Sequence, residues 1–473
     1  MLSRQEIIEL CKQNPEAIAD LILQLSEQIQ GLEGRLNKNS QNSHKPPSSD
    51  GLKKKPRKPK RVRGREKRKP GGQKDHPGTT LKMSDEVDHI VRHETKACRD
   101  CGHDLSEMIG VIGQKRQVID IPQPKLIRTE HQSIVKTCPC CGTSNTGQLP
   151  IELRGNVQYG YQLRALVTYL MIYQLLPYER TKELLKTLYA LSLSTGTLYR
   201  MIQDAYHQLE EAETAIKTAI VRSEVIHCDE TGHRVGSKTR WLHVASTKLM
   251  TFYYSNKARG QLAHEAGDIL PKYKGVAVHD FYRSYLKVEC EHALCNAHLI
   301  RELKAVIERD PTQLWAKGMI RLMVTANRMV QAAKEKGKES LSVEAHDRLM
   351  VMYDALLTKA DQLNPKAEAN GKRGRTKQTK TRNLIDRLIR YKSDILRFIS
   401  DFKVPFDNNL AERDLRMVKV QQKISNCFRS ELGAEMFCRI RGYISTLLKQ
   451  DYEIFPLLTD AMQGKVFIPT PAE

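Results

Sequence analysis

Residues 223–280 run SEVIHCDETGHRVGSKTRWLHVASTKLMTFYYSNKARGQLAHEAGDILPKYKGVAVHD, and their pattern decides the fold class. Four short runs stand out: SEVIHCD (223–229), RWLHVAS (240–246), LMTFYYS (249–255) and GVAVHD (275–280). Each is rich in β-branched and aromatic residues and has the length of a strand. Between the third and fourth lies a helical stretch, ARGQLAHEAGDIL (258–270). A fifth apolar run, HALCNAH (292–298), passes into a helix, LIRELKAVIERD (299–310). Three strands, a helix, another strand and then more helices describe a mixed α/β sheet.

Three acidic residues are marked by their placement. Asp229 ends the first expected strand and Asp280 ends the fourth, while Glu412 opens a helix in FDNNLAERDLR (406–416). Carboxylates at strand carboxyl ends project past the sheet edge, where open α/β sheets build their sites. Three carboxylates brought together repel unless cations neutralise them. Hard oxygen ligands suit Mg²⁺ or Mn²⁺, and two such ions ~3.5–4 Å apart can clamp the attacking and leaving oxygens of a phosphoryl transfer. Glu230 follows Asp229 directly and, on an alternating strand, faces the other way. Asp407 reads as the N-cap of the Glu412 helix. Asp414 falls on a different helical face from Glu412.

Working outward, residues 158–215 read as helices. LSLS (191–194) has the length of a helix-turn-helix turn, and Ser194 is the expected N-cap of the helix that follows. That helix would offer Thr197, Tyr199 and Arg200 to a DNA groove, although a plain helical pair has the same pattern. Upstream, CRDC and CPCC set Cys98, Cys101, Cys138 and Cys141 as two knuckles able to surround a structural zinc ion. Cys140 is an alternative to Cys138 or Cys141, His103 and His131 are competing ligands, and strands are expected over 113–121 and 126–138. From 312 to 400 the reading is helical, interrupted by the basic break NPKAEANGKRGRTKQTKTR (364–382), and a last helical region runs from Asn408 to Lys449.

Charge narrows the function class. The 473 residues carry 77 Lys and Arg against 55 Asp and Glu, a net of +22. Residues 51–80 hold thirteen basic side chains against two acidic ones, and residues 364–382 hold seven against one. Such concentration points to a polyanion, above all nucleic acid, though solvated linkers share the composition. The arm's prolines and glycines forbid a continuous helix, so Lys53, Lys54, Lys55, Arg57, Lys58, Lys60, Arg61, Arg63 and Arg65 would track phosphates without reading bases. Before the arm, Ile18, Ile22, Leu25, Ile29, Leu32 and Leu36 recur in steps of four and three, the seam of a short coiled coil or of one amphipathic helix in a bundle. The longest apolar stretch, ALVTYLMIYQLL (165–176), has twelve residues, too few to cross a bilayer. The first residues lack a signal layout, and eleven cysteines, several of them isolated, fit a reducing compartment; a cytoplasmic, nucleoid-associated protein is expected.

NSQNSHKPPSSDG (39–51), GGQKDHPG (71–78), the two cysteine knuckles, HCDETG, HDFYRSY, CNAHLIREL and FDNNLAERDLR occur in this order. Together they resemble transposases of the insertion-sequence-66 family, bacterial DDE enzymes, over nearly the whole chain. The resemblance implies an RNase H-like core whose triad is Asp229, Asp280 and Glu412, holding two Mg²⁺ or Mn²⁺ ions. It implies a helical insertion between the last strand and the Glu412 helix. Cys295 and His298 match a Cys-x-x-His signature, as ligands of a second zinc or as a packed pair. Asn408, Asn409, Arg413 and Arg416 resemble a motif whose members contact DNA phosphates or the second ion, although for the two arginines an exposed basic helix face would look the same. The expected layout is a coiled-coil helix (1–40), a flexible basic arm (41–80), a zinc module (81–150), a helix-turn-helix-like region (151–220), the core's first part (221–305), the insertion (306–404) and the core's second part with the C-terminal helices (405–473).

The implied activity is DNA cleavage at the element's ends followed by strand transfer, on double-stranded DNA, by a homodimer or higher oligomer, with room for accessory proteins. Two other readings are an inactive DNA-binding repressor derived from such an enzyme and a metal-dependent endonuclease without strand transfer. If the arm tracks phosphates, deleting residues 51–74 should weaken DNA binding severalfold and flatten its dependence on salt. Filter binding across a salt series checks this; an unchanged slope would remove the arm from the interface.

Overall fold

The computed structural model describes residues 5, 15–36, 81–153, 155–368 and 376–470. The expected arm, 41–80, with all its lysines and arginines, lies outside them. The chain divides into two compact units, Met1–Lys53 with Glu130–Glu473, and Lys54–Thr129. In the smaller unit, an isolated bridge between Ala97 and Asp104 encloses the first cysteine knuckle. The strand expected over 113–121 does not form. Val118, Ile119 and Ile121 stand exposed there, and a strand without a ladder partner among the described residues has nothing to hold it.

In the larger unit, α1 (Pro15–Leu36) is one helix whose seam residues Ile22, Leu25, Ile29 and Leu32 are all exposed. A small hairpin, β1 (Val135–Thr137) and β2 (Ser144–Thr146), frames the second knuckle. A helical layer follows. α2 (Tyr161–Thr168) runs into a π-turn at Tyr169–Tyr173, and Leu175, with φ of 60°, breaks the helical course within the apolar stretch 165–176. α3 (Tyr178–Tyr189) ends on Ala190 in the left-handed conformation. α4 (Thr195–Gln208) then begins on Ser194, whose hydroxyl accepts the Thr197 N–H at 3.0 Å, as expected. α5 (Glu210–Arg222) leads to the sheet, with Glu210, Glu211 and Glu213 facing its positive end.

The sheet has five strands: β3 (Val225–Val235), β4 (Lys238–Ser246), β5 (Thr251–Asn256), β6 (Val276–His279) and β7 (Glu291–Leu294). Their spatial order is β5-β4-β3-β6-β7, with α6 (Gln261–Gly267) between β5 and β6 in sequence. β3, β4 and β5 pair antiparallel, whereas β6 and β7 run parallel to β3. The turn at Gly236 needs a φ of +56°, which glycine adopts without strain, and it lets β3 and β4 pair from His227↔Ser246 to Val235↔Lys238.

The insertion consists of α7 (Asn296–Arg309), α8 (Leu314–Glu335), α9 (Val343–Leu363), α10 (Lys380–Arg390) and α11 (Lys392–Ser400). It has its own core, in which Leu299, Met319, Met323, Tyr353, Leu388 and Phe398 pack with Val278 and Leu294 of the sheet. Its basic break is not all solvent-facing. Arg382 lies inside α10, 2% exposed, paired with Asp361 and Asp386 at 2.6 Å each. That cation is spent internally and not on a polyanion. The chain returns through α12 (Asn409–Ser425), α13 (Glu431–Lys449) and α14 (Ile454–Met462). α13 lies close against β5, where Gly442 leaves room for the Thr251 carbonyl and the Thr446 hydroxyl accepts the Thr251 N–H at 3.0 Å. The main core, including Leu198, Ile216, Ile226, Val244, Tyr253 and Ile444, joins α2–α5, the sheet, α13 and α14. No described helix is long and apolar enough to cross a membrane.

Candidate active site

Asp229 is not at a strand end, since β3 continues to Val235. The opening arises next door. β6 pairs with β3 only at Val225–His227 and stops at His279, so among the described residues β3 has no paired strand on that side from Cys228 until Phe428 bridges it at Val235. Asp280 follows directly. Its Oδ1 accepts the Tyr282 N–H at 2.8 Å, and its carbonyl accepts the Nδ1–H of buried His279. The tautomer follows: His279 Nε2 must accept from His292 Nδ1, 3.0 Å away. Burial pushes His279 down to about 3, so this support for Asp280 is neutral.

Glu412 sits in the first turn of α12, and one residue before that helix sets its position. Asn408 is 2% exposed. Its Nδ2 donates to the Cys228 carbonyl at 2.8 Å, and its Oδ1 accepts the His227 Nδ1–H at 2.8 Å. Its own N–H donates to Cys295 Sγ at 3.2 Å, and its carbonyl accepts the Glu412 N–H at 3.2 Å. Asn408 therefore cannot reach DNA or a metal ion as its motif suggested. It is a staple that joins β3, the start of α7 and α12. Asp407, expected as the N-cap, lies one residue further out, where its carboxylate takes the Asn409 N–H and side-chain amide at 3.1 and 2.7 Å.

The three carboxylates feel one another. Burial, then the charges of Glu230, Asp280 and Glu412, hold Asp229 well above the usual carboxylate range. Burial raises Glu412 too, opposed first by Arg301 and aggravated by Asp407 and Asp280. Glu412 Oε2 lies 3.9 Å from Arg301 Nη2, and its Oε1 is buried with no hydrogen-bond partner among the described residues. Such a set of hard, mutually repelling oxygen donors fits divalent ions. Asp414, as expected, faces elsewhere and pairs with Lys449 at 2.7 Å.

Cys295 and His298 meet this site. Together with Glu412 they bring one ligand atom each within 4.8 Å of one another, and His298 Nδ1 lies 3.8 Å from Glu412 Oε1. Burial pushes the Cys295 thiol up to about 12, so it is protonated at neutral pH in its metal-free state. Arg200, Arg413 and Arg416 are all exposed. Sequence reasoning missed Arg301, which stands one helical turn from His298, and the role of Asn408.

The cysteine knuckles are each preformed. Gly102 N–H donates to the Cys98 carbonyl and Cys98 N–H to the His103 carbonyl; Gly142 and Cys138 repeat the pattern with Cys138 and Thr143. Both turns require a left-handed glycine, Gly102 at φ 74° and Gly142 at φ 72°. Backbone N–H groups, first that of Cys101, lower the Cys98 thiol, and the Thr143 hydroxyl chiefly lowers Cys141. Depressed thiols turned toward amide donors are suited to bind zinc as thiolates. His103 contributes its carbonyl to the first turn.

Comparison with known families gives three matches. Residues 156–436 match the model described as Transposase IS66 family, which spans the sheet, the insertion and Glu412. Residues 95–142 match the zinc-finger binding domain of transposase IS66, enclosing both knuckles. Residues 4–82 match a family described only as one of unknown function. No curated protein matches the chain.

The raised carboxyl carries a stability consequence. A group whose folded pKa exceeds its unfolded value stabilises the fold below the unfolded value and loses that contribution as pH rises through the folded one. At pH 8 without metal, Asp229→Asn should therefore be more stable than the parent by about 1–2 kcal/mol, a gain that shrinks as pH falls toward 5. Mg²⁺ should raise the melting temperature of the parent more than that of the variant. Thermal unfolding checks this, and a variant less stable than the parent at pH 8 would contradict it.

Proposed function

From the chain's membership of the IS66 transposase family we infer that it binds the ends of its own insertion sequence, cleaves DNA there and joins the freed strand to target DNA. The observation that carries this reading is that β3, the end of β6 and α12 supply Asp229, Asp280 and Glu412 near enough for the Asp280 charge to act on both other carboxyls. A sheet of order β5-β4-β3-β6-β7, antiparallel on one side and parallel on the other, supports an RNase H-like core with those residues as its DDE triad.

Asp229, Asp280 and Glu412 would hold two Mg²⁺ or Mn²⁺ ions, which when bound supply the charge that activates water and steadies an in-line phosphoryl transfer. The chain's own part is positional. The Tyr282 N–H and the His279–His292 pair fix Asp280, the Glu230 N–H fixes Asp229 Oδ1 at 2.8 Å, and Asn408 fixes the start of the Glu412 helix. Arg301 holds cationic charge 3.9 Å from Glu412 Oε2, where it tempers the repulsion among the acids. Water attack frees a 3′-hydroxyl, and that hydroxyl attacks target DNA, with no covalent enzyme intermediate. Cys98, Cys101, Cys138 and Cys141 would hold a structural zinc ion in the domain matched over 95–142. Exposed Arg200, Arg413 and Arg416 and the basic arm would supply phosphate contacts, and α1, with its exposed seam, would pair protomers.

Purified protein, Mg²⁺ and labelled element ends test the reading. The expected result is joined product from the parent chain and at least a hundredfold loss in Asp229→Asn, Asp280→Asn and Glu412→Gln. Cleavage without joining would mark an endonuclease, and binding alone a repressor. Activity surviving in any of the three variants would overturn the triad.

A further inference from the structure

Behind Asp229 the sheet carries a second carboxylate that the triad does not use. Glu230 points to the opposite face, and its side chain is 1% exposed. Its Oε2 accepts the Tyr285 hydroxyl at 2.6 Å and its Oε1 accepts Arg259 Nε at 2.8 Å. Removing a carboxylate from water costs several kcal/mol unless a partner charge and hydrogen bonds answer it, on the order of what Arg259 and Tyr285 provide here. Arg259 is in turn held flat. Its guanidinium carbon lies 4.6 Å from the Trp241 ring centroid and 4.2 Å from that of Tyr282. Tyr282 is the residue whose N–H holds Asp280.

The guanidinium is thus tied to both aspartates of the triad, through Glu230 on one side and Tyr282 on the other. Its side chain is 39% exposed, and its hydrogen bond to Glu230 is made through Nε, with none from either Nη group among the described residues. A planar fork with its Nε fixed and its outer edge open is pre-organised for the oxygens of a phosphate, and it offers a geometry that lysine cannot copy. A cation stacked on Tyr282, whose N–H holds Asp280, adds positive charge where a phosphate anion would sit.

We propose that Arg259 is a preset clamp for a DNA phosphate next to the one cleaved. Glu230 is its positioning residue, and Trp241 and Tyr282 hold its plane. The proposal rests on the reading of Asp229, Asp280 and Glu412 as the cleavage site.

The test uses the full chain, its own terminal-repeat duplex and three variants: Arg259→Ala, Arg259→Lys and Glu230→Gln. Without divalent metal, the slope of log affinity against log salt should be shallower by about 0.9 in Arg259→Ala, one lost phosphate contact, and unchanged in the other two, which keep the cation. With Mg²⁺ and saturating DNA, all three should cleave at least tenfold more slowly. Mn²⁺ binding, followed by paramagnetic resonance, should stay within twofold of the parent in all three. An unchanged salt slope in Arg259→Ala, or cleavage by Arg259→Lys at the parent's rate, would overturn the clamp. Loss of Mn²⁺ binding would also overturn it, by making Arg259 a support for Asp280. If Arg259→Ala does not fold, the Arg259→Lys and Glu230→Gln rates decide. If the parent itself does not cleave, the triad reading fails, and the metal-free slope still decides whether Arg259 grips a phosphate.

Discussion

One buried amide fixes the frame of the candidate active site. Asn408 bridges to the Cys228 carbonyl and to His227 on β3, both about 180 residues earlier, and to Cys295 at the start of α7. Its carbonyl then receives the Glu412 N–H, so the helix carrying the third acid starts from a point fixed against the strand carrying the first. Each hydrogen bond is worth only about 1 kcal/mol net, but a buried partner left unsatisfied costs about 1–3 kcal/mol. The staple therefore specifies position more than it adds stability. It is reinforced nearby, where the Asn296 N–H donates to the Phe406 carbonyl at 3.2 Å and its side-chain amide to the Ile395 carbonyl at 3.0 Å. Through these contacts the whole helical insertion, α7 to α11, can be looped out between β7 and α12 without loosening the site.

What the staple assembles is electrostatically strained. Asp229 and Glu412 both resist ionisation where they stand, because burial and neighbouring carboxylates favour the neutral form. Elsewhere several buried charges have ion-pair partners: Asp414 with Lys449, Arg382 with Asp361 and Asp386, Glu230 with Arg259. The contrast separates groups paired for structure from groups left short of cations. Acids perturbed by burial and by one another mark a candidate functional site.

Much of this was legible in the sequence, for local reasons. Alternating and β-branched runs mark the sheet, and Asp229 and Asp280 stand out as candidates because each follows such a run. Ser194 was readable as an N-cap because capping is a three-residue event. The failures share a cause, which is dependence on partners far along the chain. Asn408, a polar residue before a helix, looked like a surface contact because its partners lie in β3 and at Cys295. Arg382 looked like part of a basic linker because Asp361 and Asp386 pair with it only once α9 and α10 pack. The run over 113–121 has strand composition and forms no strand, since composition cannot provide a neighbouring edge. Asp229 was placed at a strand end, whereas the opening depends on where β6 stops, a matter of register and not of β3's own residues.

The most direct measurement is anomalous diffraction from crystals of the protein grown with a terminal-repeat duplex and soaked in Mn²⁺. The expected result is two manganese peaks ~3.5–4 Å apart, bracketed by the carboxylates of Asp229, Asp280 and Glu412, with a phosphate between them. A single ion held by Cys295, His298 and Glu412, or no ion beside Asp229 and Asp280, would contradict it.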